Sequence, residues 1–179
     1  MPAPAIIENA QRIKVSSFED VRRSLLGQVF HVTRLSYIDR IVASGALLPN
    51  RTGIKSPIGN SANGYFRLKG CVSFFDYRMH KSPEWQEFYS RCMPTIAISP
   101  NDPAVVMFLS SEYYPKLISW LGWKVEELWS QRVVPHVEVG FLGEVSLDMI
   151  TEIHIWEDGN PGGSCRLTDL YNRLERNAD

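Results

Sequence analysis

The stretch Gln28-Val29-Phe30-His31-Val32-Thr33-Arg34 places Val29, His31 and Thr33 on one side of an extended chain and Phe30 and Val32 on the other. That period of two predicts a half-buried strand over 28–34. Directly after it, SYIDRIVAS (36–44) spaces Ile38, Ile41 and Val42 as a helical stripe. Ser36 is read as its cap and Gly45 as its stop. Upstream, FEDVRRSLL (18–26) predicts a helix capped by Ser16 or Ser17, with Glu19 and Asp20 at the positive end of its dipole. Residues 1–15 are read as a flexible N-terminal segment.

Downstream, CVSFFDY (71–77) predicts a second strand, and Ser82-Pro83 opens a helix, PEWQEFYSR. TIAIS (95–99) and AVVMFL (104–109) read as strands separated by the turn Pro100-Asn101-Asp102-Pro103. Residues 112–131 predict a helix in two pieces, broken near Gly122. VVPHVEVGF (133–141) and ITEIHIW (150–156) read as further strands, Gly159 to Gly163 as a turn and RLTDLYNRLE as a closing amphipathic helix. Strands in both halves, without regular βαβ alternation, predict an α+β domain rather than a doubly wound parallel sheet.

The 179 residues, 44% of them apolar, suit one core, so 1–179 is read as a single domain. No run approaches the roughly 20 apolar residues of a membrane span, and the N-terminus lacks the order of a secretory signal, which makes the cytoplasm the expected location. Cys71, Cys92 and Cys165 are odd in number and far apart, which argues against a disulfide framework. His31, His80, His136 and His154 lack zinc-site spacing, so no metal is expected. Phosphate-loop, dinucleotide-fingerprint, nucleophile-elbow and His-Glu-x-x-His motifs are absent.

A net charge of -1 hides an asymmetry. Residues 1–92 carry 13 Lys/Arg against 7 Asp/Glu and residues 93–179 carry 6 against 13, so the halves stand at +6 and -7. No acid lies between Asp39 and Asp76, where Arg40, Arg51, Lys55, Arg67 and Lys69 fall. Most of these sit in PNRTGIKSPIGNSANGYFRLKG (49–70), a basic loop without periodicity that would suit a phosphate-bearing ligand, and residues 51–69 are expected to be mobile or poorly packed without it.

His31 and Thr33 present an imidazole and a hydroxyl on one strand face, either a ligand edge or the solvent face of an edge strand. His136 and Glu138 are likewise read as paired on one side of the strand 133–141. A mid-strand glutamate either faces water or has a partner and a purpose. Arg78 ends an apolar strand, where its guanidinium could hold a phosphate or carboxylate in a fork or simply face solvent.

Three of these segments resemble the DarT-type ADP-ribosyltransferase toxins. The first is Phe30-His31-Val32-Thr33 with the short helix through Gly45-Ala46-Leu47. The second is Val72-Ser73-Phe74-Phe75-Asp76-Tyr77-Arg78 followed by Ser82-Pro83. The third is Val137-Glu138-Val139 with the apolar pattern through Ile153. The resemblance implies an ADP-ribosyltransferase-like split, mixed or antiparallel β core with short peripheral helices, and NAD as substrate. It implies that His31, Thr33, Asn50 and Arg51 bind NAD, that Arg78 and Glu138 are catalytic, and that His136 and Tyr77 are auxiliary or acceptor-facing. It further implies closure of loop 49–70 over the ligand and a macromolecular acceptor such as DNA or RNA. A toxin or phage-defence setting, with an antitoxin or immunity partner, would go with that. A catalytically silent binding module on the same fold is the competing reading from another class. A third is an RNA 2'-phosphotransferase-like enzyme, which also begins with a His-x-Thr strand and would carry more arginines in its phosphate site.

Overall fold

A computed structural model describes residues 5–54, 58 and 62–160. The strands are β1 (Gln11–Val15), β2 (Val29–Arg34), β3 (Ala46–Leu47), β4 (Cys71–Asp76), β5 (Ala104–Leu109), β6 (Leu117–Ser119), β7 (Glu138–Leu142), β8 (Val145–Ser146) and β9 (Ile150–Asp158). Seven of them form one sheet in the order β1-β9-β5-β2-β4-β7-β6, and β3 pairs with β8 apart from it. Only the β1-β9 pair is parallel in the large sheet, and the helices are short, so the fold is α+β with a mostly antiparallel sheet.

Both faces of the sheet are covered. Phe30, Val32, Phe75, Val106, Phe108 and Trp156 pack on one side with helices Glu19–Leu25 and Pro83–Phe88. Val29, Phe74, Met107, Val139, Phe141 and Ile153 pack on the other with helix Ile38–Ser44. These are called the front and back faces below. β5 is buried at all six positions because it lies mid-sheet. Alternation in β2 suggested one wet face, but Thr33 is buried and His31 only partly open, since β2 is also an inner strand.

Several sequence expectations are corrected. Residues 11–15 form a sheet strand on β9 with Val15 buried, so the N-terminal segment is tied down there. Neither Ser16 nor Ser17 caps the next helix; their N–H groups instead donate to Asp20 Oδ2, both at 2.8 Å, which lowers the Asp20 pKa. Ser36 does not cap either. It bonds Asp102 through its N–H and hydroxyl, and a 3-10 turn, Leu35–Tyr37, leads into the helix. Gly45 does end that helix, at φ +69°, and Ser82 accepts from Trp85 N as read.

TIAIS is not a strand, because Pro94 starts a 3-10 helix, Pro94–Ala97. The expected helix 112–131 is a 3-10 segment, Ser111–Lys116, then β6, then the helix Leu121–Val125. The closing helix RLTDLYNRLE and most of the turn before it lie outside the described residues. Within the basic loop, Tyr65–Leu68 is a helical turn whose Tyr65 and Phe66 are buried against Cys71, so this part is anchored rather than mobile.

Phe66 seats on Gly140 of β7. A Cβ at Gly140 would stand 2.4 Å from Phe66 Cδ1 and 3.0 Å from Cys71 Cβ, so the glycine is required by close approach. Gly140→Ala should lower stability by about 1–3 kcal/mol, as overpacking does. Urea unfolding would check it; an unchanged midpoint would mean that the helical turn does not seat there in solution.

Candidate functional site

The antiparallel pairing of β2 with β4 covers only Val29↔Asp76 and Phe30↔Phe75. Beyond Phe30 the strands are no longer paired, and His31 Nδ1 meets the Ser73 carbonyl at 2.8 Å. A carbonyl only accepts, so Nδ1 carries the proton, and burial lowers the imidazole pKa. The ring is therefore neutral, with Nε2 left as an acceptor. Its orientation is fixed further by edge contact with Phe74 at 5.8 Å.

At this split lies a pocket of about 390 Å³. His31 and Thr33 line it from β2, and Cys71, Val72 and Ser73 from β4. Tyr37, Arg40 and Ile41 come from the helical segment after β2, and Asn50, Arg51, Ile54 and Arg67 from the basic segment. Three arginines and no carboxylate stand among the described lining residues, and none of Arg40, Arg51 and Arg67 makes an ion pair among them. Such a wall favours an anion, while Tyr37, Ile41, Leu47 and Ile54 offer apolar surface.

Loop order supports the arginines. Asn50 closes a turn by accepting from Ile54 N at 2.8 Å. Arg67 Nε donates to Asn50 O at 2.8 Å, and Arg67 Nη1 donates to Ala62 O. The guanidinium is thus held by backbone carbonyls without being neutralised. Arg67 was not singled out as a site residue from sequence. Its signal was the acid-free window 40–75, with Tyr65-Phe66 as the apolar pair of a helical turn that aims it.

Glu138 opens β7 opposite Phe75 and so belongs to the front face. Ser73, opposite Gly140, shares that face. Val29 belongs to the back cluster and His31 and Thr33 follow it on the same side of β2, so by strand parity Glu138 and these two residues stand on opposite faces of the sheet. Glu138 does not itself line the pocket. Its Oε2 accepts from Val134 N at 2.5 Å. Part of the residue remains open to solvent, yet packing around the carboxyl desolvates it and raises its pKa to about 7 against that hydrogen bond.

A raised folded-state pKa of an acid favours the protonated protein. The contribution is fully present below the ordinary value of 4.5 and is lost as pH rises to about 7. Glu138 should therefore make the fold less stable at pH 8 than at pH 4.5, by an amount on the order of 3 kcal/mol. Glu138→Gln should remove that dependence and be the more stable protein at pH 8. Urea titrations of both proteins at the two pH values would check it; parallel pH dependences would show that Glu138 is solvated.

The other residues picked from sequence lie elsewhere. Arg78 follows β4 at the end where β2 and β4 do pair. It forks onto Asp76, with Nε–Oδ1 at 2.8 Å and Nη2–Oδ2 at 2.6 Å, and lies 4.9 Å over the Tyr114 ring. Asp76 opposes Val29 and Tyr114 packs with the back cluster, so Arg78 and Glu138 occupy opposite faces. One cleft containing His31, Thr33, Arg78 and Glu138 is not what the structure forms.

Tyr77 is fully buried between Phe30, Phe75 and Trp85, and desolvation raises its pKa, so it is a core residue rather than an auxiliary one. His136 is not in a strand. The chain turns through 134–137 with His136 at φ +63°, which breaks its pairing with Glu138 on one face. Among the described residues no cluster of His, Cys, Asp or Glu could hold a metal ion, and no helix is long and apolar enough to cross a membrane. No family model matches the chain, and no curated protein or solved structure matches it.

Proposed function

We propose that this chain is an NAD-dependent ADP-ribosyltransferase of the DarT type, with its nucleotide in the split between β2 and β4. The observation that carries this reading is the pocket wall: Arg40, Arg51 and Arg67, with no carboxylate among the described lining residues, around the neutral His31 and Thr33. The arginines suit a pyrophosphate, and the His31 Nε2 acceptor suits a ribose hydroxyl or a carboxamide N–H. The three strands that carry the resemblance, β2, β4 and β7, are consecutive neighbours in the sheet, which supports the reading of a split transferase core.

In this reaction the bond from ribose C1' to the nicotinamide nitrogen breaks, nicotinamide leaves with the electron pair, and the ribose gains oxocarbenium character. A carboxylate at Glu138 stabilises that charge and takes the proton of the acceptor N–H or O–H as it attacks C1'. The acceptor is a macromolecule, such as DNA or RNA, in a toxin or phage-defence setting with an antitoxin or immunity partner. Incubation with NAD and measurement of free nicotinamide tests the activity. Release no faster than from NAD alone, with and without single-stranded DNA or RNA, would overturn it; saturable NAD binding with no release would point to a silent binding module.

One observation favours a second reading. Three pocket arginines with Glu138 outside the lining is the pattern expected of an RNA 2'-phosphotransferase-like enzyme, whose phosphate site needs cations more than a carboxylate. Loss of the phosphate from a 2'-phosphorylated RNA, dependent on NAD, would decide for it.

A further inference from the structure

We infer that His136 is a positioning residue for Glu138, holding the turn that carries its carboxylate by an aromatic clamp rather than by contact with substrate. This rests on the reading of Glu138 as the reacting carboxylate. The turn is closed on itself: Glu138 N donates to Val134 O at 3.0 Å, and Val134 N donates back to the Glu138 carboxylate at 2.5 Å. His136 sits in the middle of this ring with φ +63°, a left-handed backbone that residues other than glycine adopt at a cost and that surrounding structure must enforce.

The enforcing contacts are visible. The imidazole touches two rings, Phe88 with centroids 5.7 Å apart and planes at 29°, and Trp120 at 4.5 Å and 52°. The Arg91 guanidinium covers the Phe88 ring at 4.4 Å. The clamp thus ties the turn to the end of helix Pro83–Phe88 on one side and to the residue before helix Leu121–Val125 on the other. The buried Cys92 thiol is close enough to interact electrostatically with Glu138. Releasing the ring would let the turn unwind and water reach the carboxyl.

The test reads Glu138 directly, by 13C NMR titration of its side-chain carboxyl, with the resonance assigned by its loss in Glu138→Gln. Wild type should titrate near pH 7. His136→Ala should bring the midpoint down by a unit or more, whereas His136→Phe, which keeps a ring in the clamp, should hold it near the wild-type value. If His136→Ala does not fold, His136→Asn replaces it, since asparagine tolerates the left-handed backbone without supplying the ring. An unchanged midpoint on loss of the ring, or equal shifts for Ala and Phe, would overturn the inference. In NAD turnover, His136→Ala should lower kcat about 10-fold with KM unchanged. A titration that behaves as expected in a protein that releases no nicotinamide would sink the transferase reading and leave the clamp standing.

Discussion

Glu138→Gln should release nicotinamide at least about 100-fold more slowly than wild type at saturating NAD, with NAD binding unchanged. The amide keeps the shape of the side chain and its acceptor for Val134 N, but it removes the charge that would face the developing oxocarbenium ion. Losing one electrostatic contribution of this kind in a water-poor site typically costs 100-fold or more, whereas a solvated strand glutamate would cost almost nothing. The raised pKa adds a second signature. If the working form is the carboxylate, the wild-type rate rises with pH to a plateau above about 7, and the residual rate of Glu138→Gln lacks that rise. Equal rates for the two proteins would remove Glu138 from the mechanism.

The same charge should weaken the fold at neutral pH, because the protein desolvates it with a single backbone donor in return. A variant that gains stability while losing turnover is the expected behaviour of a group kept for chemistry rather than for folding. Both outcomes come from one substitution measured in two ways, and a surface glutamate would give neither.

Alternation or a short apolar run revealed the strands where no local signal competed. QVFHVTR, CVSFFDY, AVVMFL and ITEIHIW all lie in β2, β4, β5 and β9, because tertiary packing asks of these segments what their pattern offers. The pattern misled where local signals competed. VVPHVEVGF alternates from its start, yet Pro135 and the turn hydrogen bonds at Val134 delay the strand to Glu138, so a pairing of His136 with Glu138 inferred from parity fails. TIAIS lost to Pro94, which favours the first turn of a helix.

The basic segment was legible as charge but not as architecture. Its acid-free run announced an anion site, and Asn50 and Arg51 do line the pocket with His31 and Thr33. What no linear reading supplied is that β2 and β4 part after two residue pairs, since register is a property of two strands and not of either alone. That parting places Ser73 and Arg67 in the site and leaves Arg78 at the closed end.

The two arginines give the sharpest contrast. Arg67→Met should weaken NAD binding about 10- to 100-fold, because a guanidinium already held by Asn50 O and Ala62 O meets a phosphate without further ordering, and a hydrogen bond to a charged group is worth about 1.5–3 kcal/mol. Arg78→Met should leave NAD binding within about twofold of wild type. Its effect should fall on stability, since Asp76, itself buried, would keep only the Arg78 backbone N–H from that residue. The loss should be about 1–2 kcal/mol, moderated because Arg78 is a third exposed. Calorimetric titration with NAD and urea unfolding of both variants separate the roles. Weakened binding in Arg78→Met alone would place the nucleotide at the strand-end arginine, as the sequence suggested, and not in the pocket at the split.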